Sequence, residues 1–244
     1  STAGATEPSA CGGPSLFCPG GESAPRTVTP GLETFTDGSI ADAPTDLDDS
    51  TTRTSQRACS DGVRCVAGLR VDCRIGSYCV GGKEFLCPPG VVGEGVELTS
   101  PSCSRPCPRG SWCPAGSTSP VECEAGTFGA SEGLTHEVNC TRTPPGYYST
   151  AGSPSKTECG GPSLFCPGGE GSPQSVREGY GTFTDSNLNG DLDPDDTSTR
   201  TSERACGDGV KCVAGLEVDC KIGSYCVAGI EHLCPAGVVG EAEE

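Results

Sequence analysis

Apolar residues along this chain come singly or in pairs. No 3.6-residue apolar period lasts for a full helix, because Gly, Pro, Ser and Thr punctuate every stretch. What remains are short runs, Val63 to Val66, Val91 to Val92 and Thr127 to Phe128, which predict two-residue rungs of small hairpins. The expected fold class is therefore small and disulfide-rich: an elongated tandem array of short β-hairpin modules with little regular secondary structure. Composition points the same way. Only 33% of the 244 residues are hydrophobic, and 37 Gly and 21 Pro bring the chain near the level where irregular structure dominates.

Self-similarity sets the domain organisation. The segment CGGPSLFCPGGE at 11–22 recurs unchanged at 159–170, and residues 59–94 recur at 206–241 with 28 of 36 positions identical. The offset is 148 in the first block and 147 in the second, so one residue is lost between them. A complete cysteine-rich unit is expected over 1–148, with sub-modules at about 1–58, 59–86, 87–106 and 107–148, and a truncated second copy over 149–244. With no methionine in the chain, residue 1 is expected not to be its gene's beginning.

Nineteen cysteines take the place of a core. There is no Cys-x-x-Cys and there are two histidines, His136 and His232, so disulfides in an oxidising, extracellular setting are a better account than zinc. Connectivity does not follow from sequence. Spacing suggests Cys87 with Cys103 and Cys123 with Cys140, the remaining cysteines pairing as near neighbours or in crossed form. The complete unit holds 12 cysteines and the truncated copy seven, which leaves Cys234 expected to be unpaired within this chain.

The phrases Cys87-Pro-Pro-Gly-Val-Val-Gly, Cys123-Glu-Ala-Gly-Thr-Phe-Gly and Cys107-Pro-Arg-Gly-Ser-Trp-Cys113 resemble the cysteine-rich repeats of ephrin-receptor-like and TNF-receptor-like modules. Together with Thr201-Ser-Glu-Arg-Ala-Cys206 and Tyr225-Cys226-Val-Ala-Gly229, they are similar to long arrays on protist cell surfaces, including mastigoneme-type filament proteins. The resemblance spans nearly the whole chain except 31–54 and its copy, and implies loops stapled to the next cysteine. Val91 and Val92 depart from it, standing where the family has Thr and Tyr.

Charge narrows the partners. At −17, the chain repels nucleic-acid phosphates and anionic lipid, and no apolar run is long enough to cross a bilayer. The expected partner is another copy, met head-to-tail or laterally.

Candidate chemistry is sparse. Asp185, Asn187, Asn189, Asp191, Asp193 and Asp196, with Gly190, follow the spacing of a calcium loop, Asp196 replacing the usual glutamate. No helical pattern flanks it, and the first copy, from Asp37 to Asp49, lacks the glycine and the spacing, so a solvated acidic loop is the competing reading. Asn139-Cys140-Thr141 is the one N-glycosylation triplet, which would make covalent glycans and calcium the non-protein components, with no cofactor required. His136 and His232 have no equivalents of each other in the repeat, His232 aligning with Phe85, and no carboxylate pair or phosphate-binding loop is evident, so no enzyme is expected. Trp112 reads as a residue packed on a disulfide. The function expected is a structural subunit of an extracellular fibril, flagellar hair or cell-surface coat, with a receptor or adhesion ectodomain as the alternative.

Overall fold

A computed structural model describes residues 10–36, 53–184 and 198–238. Among these there is no α-helix, only a 3-10 turn at Glu137–Asn139; everything else regular is a two-stranded antiparallel hairpin. The expected fold class is borne out, with one difference of detail. Val63–Val66 is a four-residue strand, because a two-residue turn lets its hairpin zip further than the modules with long loops.

Two compact units are present, Ser1–Cys107 with Cys113–Pro120, and Pro108–Trp112 with Val121–Glu244. In the first, β1 (Leu16–Phe17) pairs with β2 (Arg26–Thr27), β3 (Leu32–Phe35) with β4 (Ser55–Ala58), and β5 (Val63–Val66) with β6 (Leu69–Asp72). β7 (Ser77–Val80) then pairs with β8 (Lys83–Leu86), and β9 (Val91–Val92) with β10 (Arg105–Pro106). The second unit begins with β11 (Ser111–Trp112) on β12 (Val121–Glu122), β13 (Thr127–Phe128) on β14 (Thr141–Arg142), and β15 (Tyr147–Tyr148) on β16 (Thr157–Glu158). It continues with β17 (Leu164–Phe165) on β18 (Gln174–Ser175) and β19 (Tyr180–Phe183) on β20 (Ser202–Ala205). Last come β21 (Val210–Val213) on β22 (Leu216–Asp219) and β23 (Ser224–Val227) on β24 (Ile230–Leu233). The β15–β16 hairpin spans residues 148 and 149, and β17–β24 repeat β1–β8 at the sequence period.

One local device joins the hairpins. Cys73–Gly76, Cys87–Gly90, Cys107–Gly110, Cys123–Gly126 and Thr143–Gly146 are four-residue connectors that begin with a buried side chain and end in glycine. Each closes a β-turn, as where the Ser77 amide donates to Arg74 O at 3.1 Å and the Thr127 amide to Glu124 O at 3.0 Å. Positive φ at the third position makes these type II turns, which glycine adopts without steric cost. The connector's first amide donates back to the preceding glycine, Cys87 to Gly76 O and Cys123 to Gly110 O, both at 2.9 Å, adding a rung to each hairpin.

The same glycines bind hairpin to hairpin. Gly76 N donates to Gly93 O at 2.9 Å, Gly90 N to Cys113 O at 2.8 Å and Gly126 N to Ser149 O at 2.8 Å. Such bonds bring backbones into contact. At Gly110, φ is 81° and a Cβ would stand 2.1 Å from Gly152 O. Backbone stacking and buried sulfur therefore replace an apolar core: Cys79, Cys87, Cys107, Cys113, Cys123 and Cys166 are wholly buried, and Val92 is the one large aliphatic side chain equally enclosed among the described residues.

Candidate functional site

The chemistry of this chain lies in its staples. All 19 cysteines fall among the described residues and 18 are bonded. Cys11–Cys18, Cys59–Cys65, Cys73–Cys79, Cys107–Cys113, Cys159–Cys166, Cys206–Cys212 and Cys220–Cys226 are near-neighbour pairs, six or seven residues apart, that close a connector onto the strand after it. Cys87 is bonded to Cys103 and Cys123 to Cys140, at separations of 16 and 17. Cys234 is a half-buried free thiol.

The residue six positions after the connector's first cysteine accounts for the choice. Where it is cysteine, as at Cys79 and Cys113, the bridge is local. Where it is glycine, at Gly93 and Gly129, the sulfur turns to the cysteine before or at the end of the hairpin loop; a Cβ on Gly93 would stand 2.7 Å from Cys87 Sγ. Cys234 is followed six positions later by Gly240, the pattern of Cys87. Native protein is expected to take up one equivalent of an alkylating reagent, at Cys234, in a mass spectrum; greater uptake would mean that a bridge is open.

One module keeps the geometry without the sulfur. Thr143 and Ser149 occupy the positions that Cys107 and Cys113 fill one hairpin pair earlier, and both are buried. Thr143 Oγ1 donates to Ser149 Oγ at 2.9 Å. A buried neutral hydrogen bond contributes about 1 kcal/mol, less than a bridge. Thr143→Cys with Ser149→Cys is expected to form a tenth bridge and to stabilise the second unit by about 2 kcal/mol, read as a shift of the urea midpoint.

Charged pairs are rewired between the copies. Glu33 takes Arg57 at 2.6 Å and Arg70 at 3.7 Å. In the second copy Gly181 stands for Glu33 and Glu217 for Arg70, and Arg204, the counterpart of Arg57, pairs with Glu217 at 3.6 Å. Thr29 and Gln56, joined by two hydrogen bonds, give way to Arg177 and Glu203, an ion pair. Glu84 takes Arg64 and Arg74, where Glu231 takes Lys211 at 2.8 Å and the Lys221 amide at 3.1 Å. Those two contacts, the lysine first, hold the Glu231 carboxyl below its ordinary range, so its pairing is present at neutral pH and is lost as pH falls through that lowered value.

His232 stacks on Tyr225 with ring centroids 5.3 Å apart, as Phe85 does on Tyr78 at 5.5 Å; the histidine fills a packing position. His136 N and Thr135 Oγ1 donate to Asn139 Oδ1 at 3.0 and 3.1 Å, which leaves the exposed Asn139 side-chain nitrogen directed at no protein acceptor. Thr141, the third residue of that triplet, is exposed in β14. Trp112 is half-buried in β11, opposite Val121. The candidate calcium ligands Asp185, Asn187, Asn189, Asp191, Asp193 and Asp196 lie outside the described residues. Glu84 and Glu217 each come close to a cysteine pair, Cys73 with Cys79 and Cys206 with Cys212, but those sulfurs are bonded to each other and offer no thiolate to a metal.

One groove in the second unit is lined by Leu164, Ser175, Val176, Arg177, Tyr180 and Val213. The Arg177 guanidinium sits 4.0 Å from the Tyr180 ring centre. Their counterparts in the first copy are Thr29 and Leu32, so the two copies differ in chemical character at this groove.

Disulfide-stapled hairpin repeats of this density define an extracellular structural protein or ectodomain. No helix among the described residues is long and apolar enough to cross a membrane. No protein-family model matches the chain, and no curated protein matches it.

Proposed function

We propose that this chain is a structural subunit of an extracellular fibril, flagellar hair or cell-surface coat, built by self-association and with no catalytic role. The carrying observation is that divergence between the copies preserves the scaffold. Arg70 became Glu217 together with the loss of Glu33, and Gln56 became Glu203 together with the arrival of Arg177. Such exchange keeps each module rigid while its surface charge changes, and rigidity is the property a repeating material needs. The likeness of its Cys-Pro-x-Gly phrases to mastigoneme-type arrays supports the same reading.

A receptor or adhesion ectodomain is the second reading, and the Arg177–Tyr180 groove favours it, since one copy alone carries that pair. Negative-stain electron microscopy of native material, before and after reduction, separates the two. Filaments with an axial repeat that disperse on reduction are the expected result; short monodisperse rods in both conditions would overturn the structural reading in favour of the ectodomain.

A further inference from the structure

Two surfaces of this chain share a shape and differ in charge. In β5–β6 the pairing sets Arg64 opposite Val71 and Val66 opposite Leu69, so these four side chains share one face. In β7–β8 Tyr78 lies opposite Phe85 and Val80 opposite Lys83, again on one face. The second copy repeats both faces, with Val213, Leu216 and Val218 on β21–β22 and Tyr225, Val227 and Ile230 on β23–β24. Val66, Val71, Val80 and Phe85 are 38–49% exposed, and the six residues of the second copy are 42–52% exposed. Apolar side chains left in water at this density, on paired strands that nothing among the described residues covers, mark an interaction surface.

The charge around the two faces is opposite. Residues 55–86 carry five basic side chains, Arg57, Arg64, Arg70, Arg74 and Lys83, against Asp61, Asp72 and Glu84. Residues 202–233 carry three, Arg204, Lys211 and Lys221, against Glu203, Asp208, Glu217, Asp219 and Glu231. The difference arises at Gln56→Glu203, Arg70→Glu217 and Lys83→Ile230, and turns a net surplus of two positive charges within these residues into one of two negative charges; with the ion partners Glu33 and Arg177 included, the surplus is one charge of each sign. In a chain of net charge −17 that holds 16 basic residues, five of them are gathered within the five-strand stretch β4–β8. Like faces therefore repel and unlike faces attract, which selects partner and orientation.

We infer that the β5–β8 face of one chain docks on the β21–β24 face of a second copy. The contact is heterologous, so a dimer keeps one unsatisfied face of each kind, one on each chain, and association propagates. This inference rests on the structural-subunit reading and names the surfaces through which it would act.

The test uses the full chain with Cys234 capped by N-ethylmaleimide, so that thiol coupling does not contribute, and follows sedimentation velocity against concentration. Wild type is expected to grow in mass with concentration, and to do so less as salt rises, because the steering is electrostatic. Val80→Asp and Val227→Asp, at exposed positions on opposite faces, are each expected to weaken chain growth at least about tenfold. Mixed together they are expected to stop at a dimer, since one still holds an intact β21–β24 face and the other an intact β5–β8 face. Val138→Asp, on the exposed 3-10 turn, is expected to change nothing. One reactive thiol before capping shows that each variant has formed its bridges. Growth of Val80→Asp alone to the wild-type extent, or an equal effect of Val138→Asp, would overturn the assignment of faces while leaving filament formation standing. A wild-type chain that stays monomeric at every concentration, with no filaments in native material, would overturn both.

Discussion

Gly82→Ala is expected to lower stability by about 3 kcal/mol or more, while Gly81→Ala, one residue earlier in the same turn, costs less than about 1 kcal/mol. The pair forms a two-residue hairpin turn between Val80 and Lys83, with φ of 56° at Gly81 and 74° at Gly82. Both values positive is the type I′ geometry, whose twist matches that of the flanking strands. A Cβ on Gly81 meets nothing within 4 Å. The second copy has already made that substitution: Ala228 occupies the equivalent place at φ 51°. Gly82 differs because its α-carbon is pressed on the neighbouring hairpin, where a Cβ would stand 2.2 Å from Gly31 O and 3.1 Å from Cys59 Cβ. Relief requires the two hairpins to part, which also strains the bond from Cys65 N to Gly82 O at 2.9 Å. Urea unfolding with disulfides intact measures both variants. Equal midpoints would show that hairpin stacking contributes nothing beyond backbone preference.

Replacing Cys87 and Cys103 together by alanine is expected to cost about 3 kcal/mol, against about 2 kcal/mol for Cys73 with Cys79. The reason is loop length. The first bridge closes 16 residues and the second six, and the entropy removed from the unfolded chain grows with the logarithm of that number. Other restraints on the long loop are hydrogen bonds and one ion pair: beyond the two β9–β10 rungs, Ser104 N to Val92 O, Glu94 N to Ser104 Oγ, Cys107 N to Gly90 O and the Arg105–Glu94 pair close it, and Cys79 N to Leu98 O holds its tip. Limited proteolysis of the double variant is expected to cut between 93 and 103, where wild type resists. The opposite order of stability losses would mean that local packing, and not chain entropy, sets the value of a bridge here.

Much of this architecture was legible in the residues. Val91–Val92 and Thr127–Phe128 form two-residue rungs because Gly and Pro on either side stop the strands, and that punctuation is visible in the sequence. The glycine at the end of each connector was visible too, as a repeated phrase, though its second duty was not. That duty, donating to the next hairpin at 2.8–2.9 Å, joins backbones remote in sequence and leaves no mark on residue type beyond glycine itself. Thr143 with Ser149 lacks the cysteines that mark the other modules, although the six-residue spacing carries the signal. The compensation of Arg70→Glu217 by the loss of Glu33 at Gly181 is visible only once the strands bring those positions together.

By itself the sequence determined the fold class, the period and the chemistry that replaces a core, since all three depend on composition and local spacing: glycine permits the turns, apolar pairs make the rungs, and cysteine density supplies the links. Tertiary structure alone decided which charges pair across strands, which glycines lie against a neighbouring backbone, and which apolar faces stay in water. Those are properties of residues brought together from different hairpins, as Thr34 Oγ1 meets Pro14 O at 2.7 Å and Lys211 meets Glu231 at 2.8 Å, and proximity of that kind is created by the stacking of hairpins, not by any one hairpin's sequence.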